Sequence, residues 1–230
     1  LIIIDSSIEK KAEQYEKLKL FCSKVFLFHL GDETGICDPM PIYKKCNYIW
    51  RSFCSNLYFE NKSIKCIPIG YKSGVLNKQL DNKKYKWSFI GTSHKSSRHD
   101  LIFQLSNIKR FFCHQTQEFN KKIISTDEMS KILSSTEFLP CPNGFVHPET
   151  YRLYEALECG CIPIVENAYK YYDRLFPGNP FIKIDKWAEA KLIIKEWNKN
   201  QIEDKQKECK IWWKKYKTEI QNFIKEKILS

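Results

Sequence analysis

Short runs of consecutive apolar residues, rather than alternating ones, set the tightest limit on this chain's fold. LIIID at residues 1–5, KVFLFHL at 24–30, IKCIPIGY at 64–71 and WSFIGT at 87–92 are of this kind. So are IKRFFCH at 108–114, FLPCP at 138–142, CIPIV at 161–165 and NPFIKI at 179–184. A strand buried on both faces reads this way, and such strands belong to parallel sheets covered by helices. Between the runs lie stretches with helical charge spacing. These are SSIEKKAEQYEKLKLFCSK with serine at its start, YKKCNYIWRSFCSN, SSRHDLIFQLSN, STDEMSKILSSTE and PETYRLYEALEC. KWAEAKLIIKEWNK and IEDKQKECKIWWKKYKTEIQNFIKEKI add two helices at the end. The βαβ alternation predicts an α/β chain of two Rossmann-like units. The lysine- and asparagine-rich KSGVLNKQLDNKKYK reads as a linker, so the split falls at residues 1–80 and 81–230, with the first unit abridged.

A chain of 230 residues is long enough to bury a sizeable core without staples. It carries ten cysteines at irregular spacing, with no C-x-x-C and no Cys/His cluster of zinc-finger type. Several sit in apolar runs, where a free thiol packs as a small hydrophobe. That tilts the reading toward a reducing compartment, while the even count leaves secretion open. No apolar run reaches the roughly 20 residues of a membrane span, and no signal peptide is present. The first residue is not Met, so a fragment or processed form is expected, with any anchor, and any membrane association through it, outside these residues. The net charge of +11 favours anionic partners, against the plainer reading of a lysine-rich surface mixed with Glu and Asp.

The chemistry concentrates in CPNGFVHPETYRLYEALECGCIPIV, residues 141–165. In open α/β sheets ligands bind beyond the carboxyl ends of strands, where helix N-termini offer free N–H groups to phosphate. Asn143–Gly144 provides a turn where a ligand can approach the backbone, and Pro148 suits a first helical position. On a helix from Pro148, Glu149, Arg152 and Glu155 share one side while Leu153, Tyr154 and Leu157 face the core. Arg152 is then placed to bind a diphosphate through its planar fork, with Glu155 accepting from ribose hydroxyls and Glu149 from a sugar hydroxyl. A surface ladder of ion pairs is the plain alternative.

The stretch STEFLPCPNGFVHPETYRLYEALECGCIPIV resembles the signature of exostosin-type glycosyltransferases. That signature has a strand ending in Cys-Pro, a glycine turn, an acidic or small residue, an aromatic, Arg, Glu-Ala, and a closing Gly-Cys-Ile-Pro strand. The counterparts are Cys141, Pro142, Gly144, Glu149, Tyr151, Arg152, Glu155, Ala156, Gly160, Cys161, Ile162 and Pro163. The likeness is close over residues 135–165 and looser over 64–165, and Glu149 stands where Asp is usual. The resemblance implies a GT-B-like fold, with two Rossmann-like domains of parallel strands facing a cleft. It implies that the C-terminal domain binds a nucleotide-sugar donor, UDP-sugar first, and that transfer to a glycan or glycoprotein hydroxyl is inverting, with no essential metal or other cofactor. No Asp-x-Asp occurs in the chain.

Without a metal, arginines and helix-end N–H groups must stabilise the departing diphosphate. Arg152 is the first candidate. Arg98, after the Gly91–Thr92 turn in GTSHKSSRHD, is the second, and Lys95 a weaker third. The acceptor also needs a base, which the architecture draws from the first domain. Asp32 and Glu33, in FHLGDET at the end of a strand, are the candidates. His29 reads as a core residue and Arg51 as a surface one. Tyr169, Tyr171 and Tyr172 read as packing rather than as donor contacts, with Glu166 or Asn167 beside them as further contacts. Trp212 and Trp213 read as an anchor for the last helix. A polyanion-binding α/β module without chemistry fits the charge but not the two carboxylates beside Arg152, so nucleic acid is not expected. A non-catalytic partner subunit remains a third reading. The setting is cytoplasmic for a bacterial or viral chain, and the Golgi lumen for a eukaryotic one.

Overall fold

The computed structural model describes residues 1–36, 38–80, 82–116 and 124–229. Cys37, one of the ten cysteines, therefore lies outside the described residues. Two compact units divide the chain: Leu1–Ile69 with Glu219–Ser230, and Gly70–Thr218.

The first unit is a four-stranded parallel sheet in the order β1 (Ile2–Asp5), β2 (Phe26–His29), β3 (Tyr48–Arg51), β4 (Ile64–Cys66). Its crossovers carry α1 (Ala12–Phe21), α2 (Met40–Tyr43) and α3 (Asn56–Phe59). β3 is a correction to the sequence reading, which places residues 43–56 on a helix. Three of the four residues YIWR are aromatic or β-branched, which suits a pleated surface, and Ile49 and Trp50 are buried. α1 starts later than its serines suggest: it begins after Lys11 without a side-chain cap, while the Ser7 amide donates to Asp5 instead. One side of the sheet packs Leu27, Ile49 and Ile64 against Ile8, Tyr15, Ile42 and Tyr43. Phe26, Trp50 and Ile67 meet Ile220, Ile224 and Ile228 from the end of the last helix. Cys54 and Cys66 form a disulfide, which the irregular spacing gave no reason to expect.

The second unit is a five-stranded parallel sheet in the order β6-β5-β7-β8-β9. Its strands are β5 (Tyr85–Thr92), β6 (Phe111–Thr116), β7 (Thr136–Cys141), β8 (Ile162–Glu166) and β9 (Ile182–Ile184). The helices are α4 (Arg98–Leu105), α5 (Thr126–Ser134), α6 (Tyr151–Cys159), α7 (Tyr171–Leu175), α8 (Trp187–Glu196) and α9 (Lys199–Leu229). Ser125 caps α5 by accepting from the Glu128 amide, and Gly160 ends α6 in the left-handed conformation that suits glycine. Trp87, Phe89, Phe138, Ile162, Ile164 and Trp187 form the core between strands and helices. Each such side chain contributes roughly 1.5–3 kcal/mol by leaving water. Trp212, Trp213 and Tyr216 stack on α9, with Phe176 and Phe181 set edge-on. Trp213 also donates to Glu158 on α6, so the paired tryptophans are an anchor within this unit. No helix among the described residues is long and apolar enough to cross a membrane.

Candidate functional site

Strand order reverses between β5 and β7: the chain leaves β5 for β6 on one side and returns to β7 on the other. Ligand crevices form beyond the carboxyl ends of strands at such a point. The register between the two strands reaches only Trp87↔Phe138, so they have parted by the level of Ile90. The Ile90 carbonyl accepts two hydrogen bonds from Arg152 on α6, from Nε at 3.1 Å and Nη2 at 2.8 Å. The guanidinium lies 4.8 Å from the centre of the Phe89 ring. A side chain at Gly91, where φ is +144°, would run into Nη2. Gly91, which lies within β5 and not in the turn expected from the sequence, and the arginine 61 positions away are thus one local structure.

Arg152 is half-buried and forms no ion pair among the described residues. Burial lowers its pKa from the ordinary value, against the opposing pull of Glu155 and then Cys141. Glu155 lies one turn further along α6 and is buried. Burial raises its pKa to about 6. The Arg152 charge, the Lys72 charge and the Lys72 backbone N–H keep it from rising further. This corner therefore holds a cation that is only partly compensated, beside a carboxyl that titrates near neutrality.

The neighbouring residues divide between cradle and scaffold. α6 begins at Tyr151, not near Pro148, so Glu149 lies before the helix and does not share its polar side. It is buried: Tyr154 donates to Oε1, Tyr171 donates to Oε2 at 2.9 Å, and Tyr172 donates to the Pro148 carbonyl. Tyr171 and Tyr172 are packing residues as expected, whereas Tyr169 is 86% exposed. The Asn143 backbone N–H donates to Glu166 at 2.8 Å, and Gly144 follows in the irregular loop. Asn143 Oδ1 and Thr150 Oγ1, at the cap position of α6, are buried without a partner among the described residues. Arg98 folds back on its own loop, donating through Nη1 to the Thr92 hydroxyl at 2.7 Å and carbonyl at 3.1 Å. It is buried and closes the β5–α4 turn. Lys95 stands over the exposed Phe145 ring at 5.5 Å, linking the two loops at this end of the sheet. Burial keeps the Cys141, Cys159, Cys161 and Cys209 thiols above their ordinary pKa, so none is a nucleophile near neutrality.

In the first unit the carboxyl ends of β2 and β3 carry a different cluster. Arg51 is buried, not on the surface. Its Nη2 donates to Asp32 at 2.7 Å, and its Nη1 donates to Tyr43 Oη at 2.7 Å and His29 Nδ1 at 2.8 Å. The Tyr58 ring covers the guanidinium at 4.5 Å. Burial acts to lower the Arg51 pKa, but Tyr43 and Asp32 hold it above the ordinary value. Burial and the Arg51 charge push His29 down to about 4, so His29 is a neutral core histidine near neutrality. Asp32 sits at φ +65° with its side chain 2% exposed. Glu33 beside it is exposed and forms no hydrogen bond or ion pair among the described residues. Among the described residues no three His, Cys, Asp or Glu gather as a metal site. What the sequence reading got wrong here is the burial of Arg51; its place at the end of a strand was the available signal, hidden by the helix reading of residues 43–56.

The RXYLT1 C-terminal domain family model matches residues 71–229. Three curated relatives share the name ribitol-5-phosphate xylosyltransferase 1. The Mus musculus protein is 26% identical over 166 residues, covering 61% of this chain and 36% of that protein. The Homo sapiens protein is 25% identical over 166 residues (61% and 37%), and the Danio rerio protein 24% over 165 (63% and 38%). The chain spans little more than a third of these relatives' length.

Proposed function

This chain belongs to the RXYLT1 C-terminal domain family, and from that membership we propose that it is a glycosyltransferase whose second unit binds a nucleotide-diphosphate sugar. The observation that carries the reading is Arg152, a guanidinium without an ion pair among the described residues, at the reversal point of a parallel sheet. The exostosin-type signature over residues 135–165 supports the same site. The donor is a UDP-sugar. Since the relatives are named for xylosyl transfer to ribitol 5-phosphate, a xylose donor and a ribitol-phosphate-bearing acceptor are the first pair to assay.

In this reading Arg152 offsets charge on the leaving diphosphate, beside the end of β5 at Gly91 and Thr92 and the loop at Asn143 and Gly144. Glu155 accepts from the donor's hydroxyls. Glu149 and Arg98 position the cradle through their tyrosine and Thr92 bonds. Transfer is inverting and draws on no metal: a carboxylate of the Asp32–Glu33 turn takes the acceptor proton as the hydroxyl attacks, and the sugar–phosphate bond breaks with its electron pair leaving on the diphosphate. Glu33 is the exposed member and takes the base role, while Asp32 holds the turn through Arg51. The Cys54–Cys66 bridge fits folding in an oxidising compartment.

Thermal denaturation with UDP and GDP tests the donor site. A nucleotide at about 100 times its Kd should stabilise the protein by about 2.7 kcal/mol. That gain should vanish in Arg152→Ala, measured against the variant's own baseline. Stabilisation that survives the substitution, or none in the parent, removes the reading. Nucleotide binding without transfer, unchanged in Glu33→Gln, identifies a non-catalytic partner subunit instead.

A further inference from the structure

The buried residues of α9 follow a core-facing stripe, Ile202, Cys209 and Trp213. Position 206 falls on the same stripe, four residues after Ile202 and three before Cys209, and there the sequence has glutamine. Its Nε2 is buried with no acceptor among the described residues. A buried amide without a partner costs free energy that an apolar residue would not. Gln206 is held there facing a groove of about 540 Å³.

The groove lies at the amino end of β8, where α5 and α6 end. Lys83 bridges those helix ends, donating to the Ser134 carbonyl at 2.7 Å and the Gly160 carbonyl at 3.4 Å. Their partial negative charge is thereby answered. Asn77, Gln79 and Gln206 line the groove with carboxamides, and Lys207 and Lys210 line it with ammonium groups. Both lysines are exposed and form no ion pair among the described residues. Residues 206, 207 and 210 share one helix face by their three- and four-residue spacing. Among the described residues no aromatic ring lines the groove, so nothing is offered there for stacking a nucleobase. Thr150 stands at the other end of the nine-residue α6, roughly 13 Å away by helical rise, so the groove is separate from the Arg152 cradle.

We propose that this groove is a second ligand site, taking an anionic saccharide of the sugar-phosphate class. Carboxamides both donate to and accept from hydroxyls, and the two free ammonium groups bind the phosphate. Gln206 lines the groove beside them, so its carboxamide side faces the same ligand. The volume lies within the roughly 300–1,000 Å³ usual for small-ligand sites.

Isothermal titration of the full chain with glucose 6-phosphate, glucose and inorganic phosphate tests this. Glucose 6-phosphate should bind at millimolar concentration or below, with either half alone at least about tenfold weaker. Lys207→Glu/Lys210→Glu, two exposed positions, should weaken binding by tenfold or more, about 1.4 kcal/mol. Arg152→Ala should leave it unchanged, which separates this groove from the donor cradle. Gln206→Leu should raise the melting temperature while weakening the sugar phosphate. No binding at about 10 mM overturns the proposal. So does inorganic phosphate binding as tightly as the sugar phosphate, or an affinity indifferent to the paired lysines or to Gln206.

Discussion

Arg51 and Arg152 both lie at the carboxyl end of a parallel sheet, and their surroundings give them opposite roles. Arg51 meets a carboxylate, a phenol, an imidazole and a covering ring, so its charge is answered within the fold. Arg152 directs two donors at one carbonyl, and Glu155, whose charge acts on it, is not ion-paired with it. The first is a structural part of its unit. The second keeps electrostatic capacity for an anion from outside. An arginine near a strand end is thus read by what compensates it, not by its position.

The largest effect that tests this contrast is Asp32→Ala. It strands the buried Arg51 charge and should cost about 3–5 kcal/mol in chemical denaturation of the first unit. A loss below 1 kcal/mol would mean that the ion pair is as dispensable as a surface one. The pH response comes next, and the two units should move in opposite senses. His29 falls from 6.5 to about 4 in the fold, so the stability it confers is present above pH 6.5 and lost as pH drops toward 4. That difference corresponds to roughly 3 kcal/mol. Glu155 rises from 4.5 to about 6, so its contribution is present below pH 4.5 and lost as pH climbs through 6, roughly 2 kcal/mol. Denaturation between pH 4 and 7, followed by probes in each unit, should show the slopes diverging. Glu155→Gln should flatten the second alone. Gly91→Ala is the smallest, about 1 kcal/mol of stability, because the new methyl displaces only the far end of the arginine side chain. Its sharper readout is loss of the nucleotide response along with Arg152→Ala; full retention of that response would uncouple glycine from arginine.

The sheets were legible because consecutive Val, Ile and Phe can be buried on both faces only in a covered parallel sheet. β3 was not, since YIWR is only four residues long and sits inside the 43–56 stretch, where no Gly or Pro marks its ends. The α6 cradle was legible in its residue types but not in its geometry. Counting from Pro148 put Glu149 on the polar side, and a helix starting three residues later turns it into the tyrosines. The Gly91–Arg152 contact joins residues 61 apart, and no local pattern encodes it. Arg51 and the cysteine pairing were hidden for the same reason: partners far apart in the chain carry no local signature.

The link between Cys54 and Cys66 encloses Tyr58, whose ring covers Arg51. A protease that nicks the peptide after Lys62 therefore releases nothing: the two fragments stay tethered until a reductant reaches a pair of sulfurs that are themselves buried. The lid over the guanidinium is in this sense covalently stitched to the strands beneath it, and can survive the loss of backbone continuity.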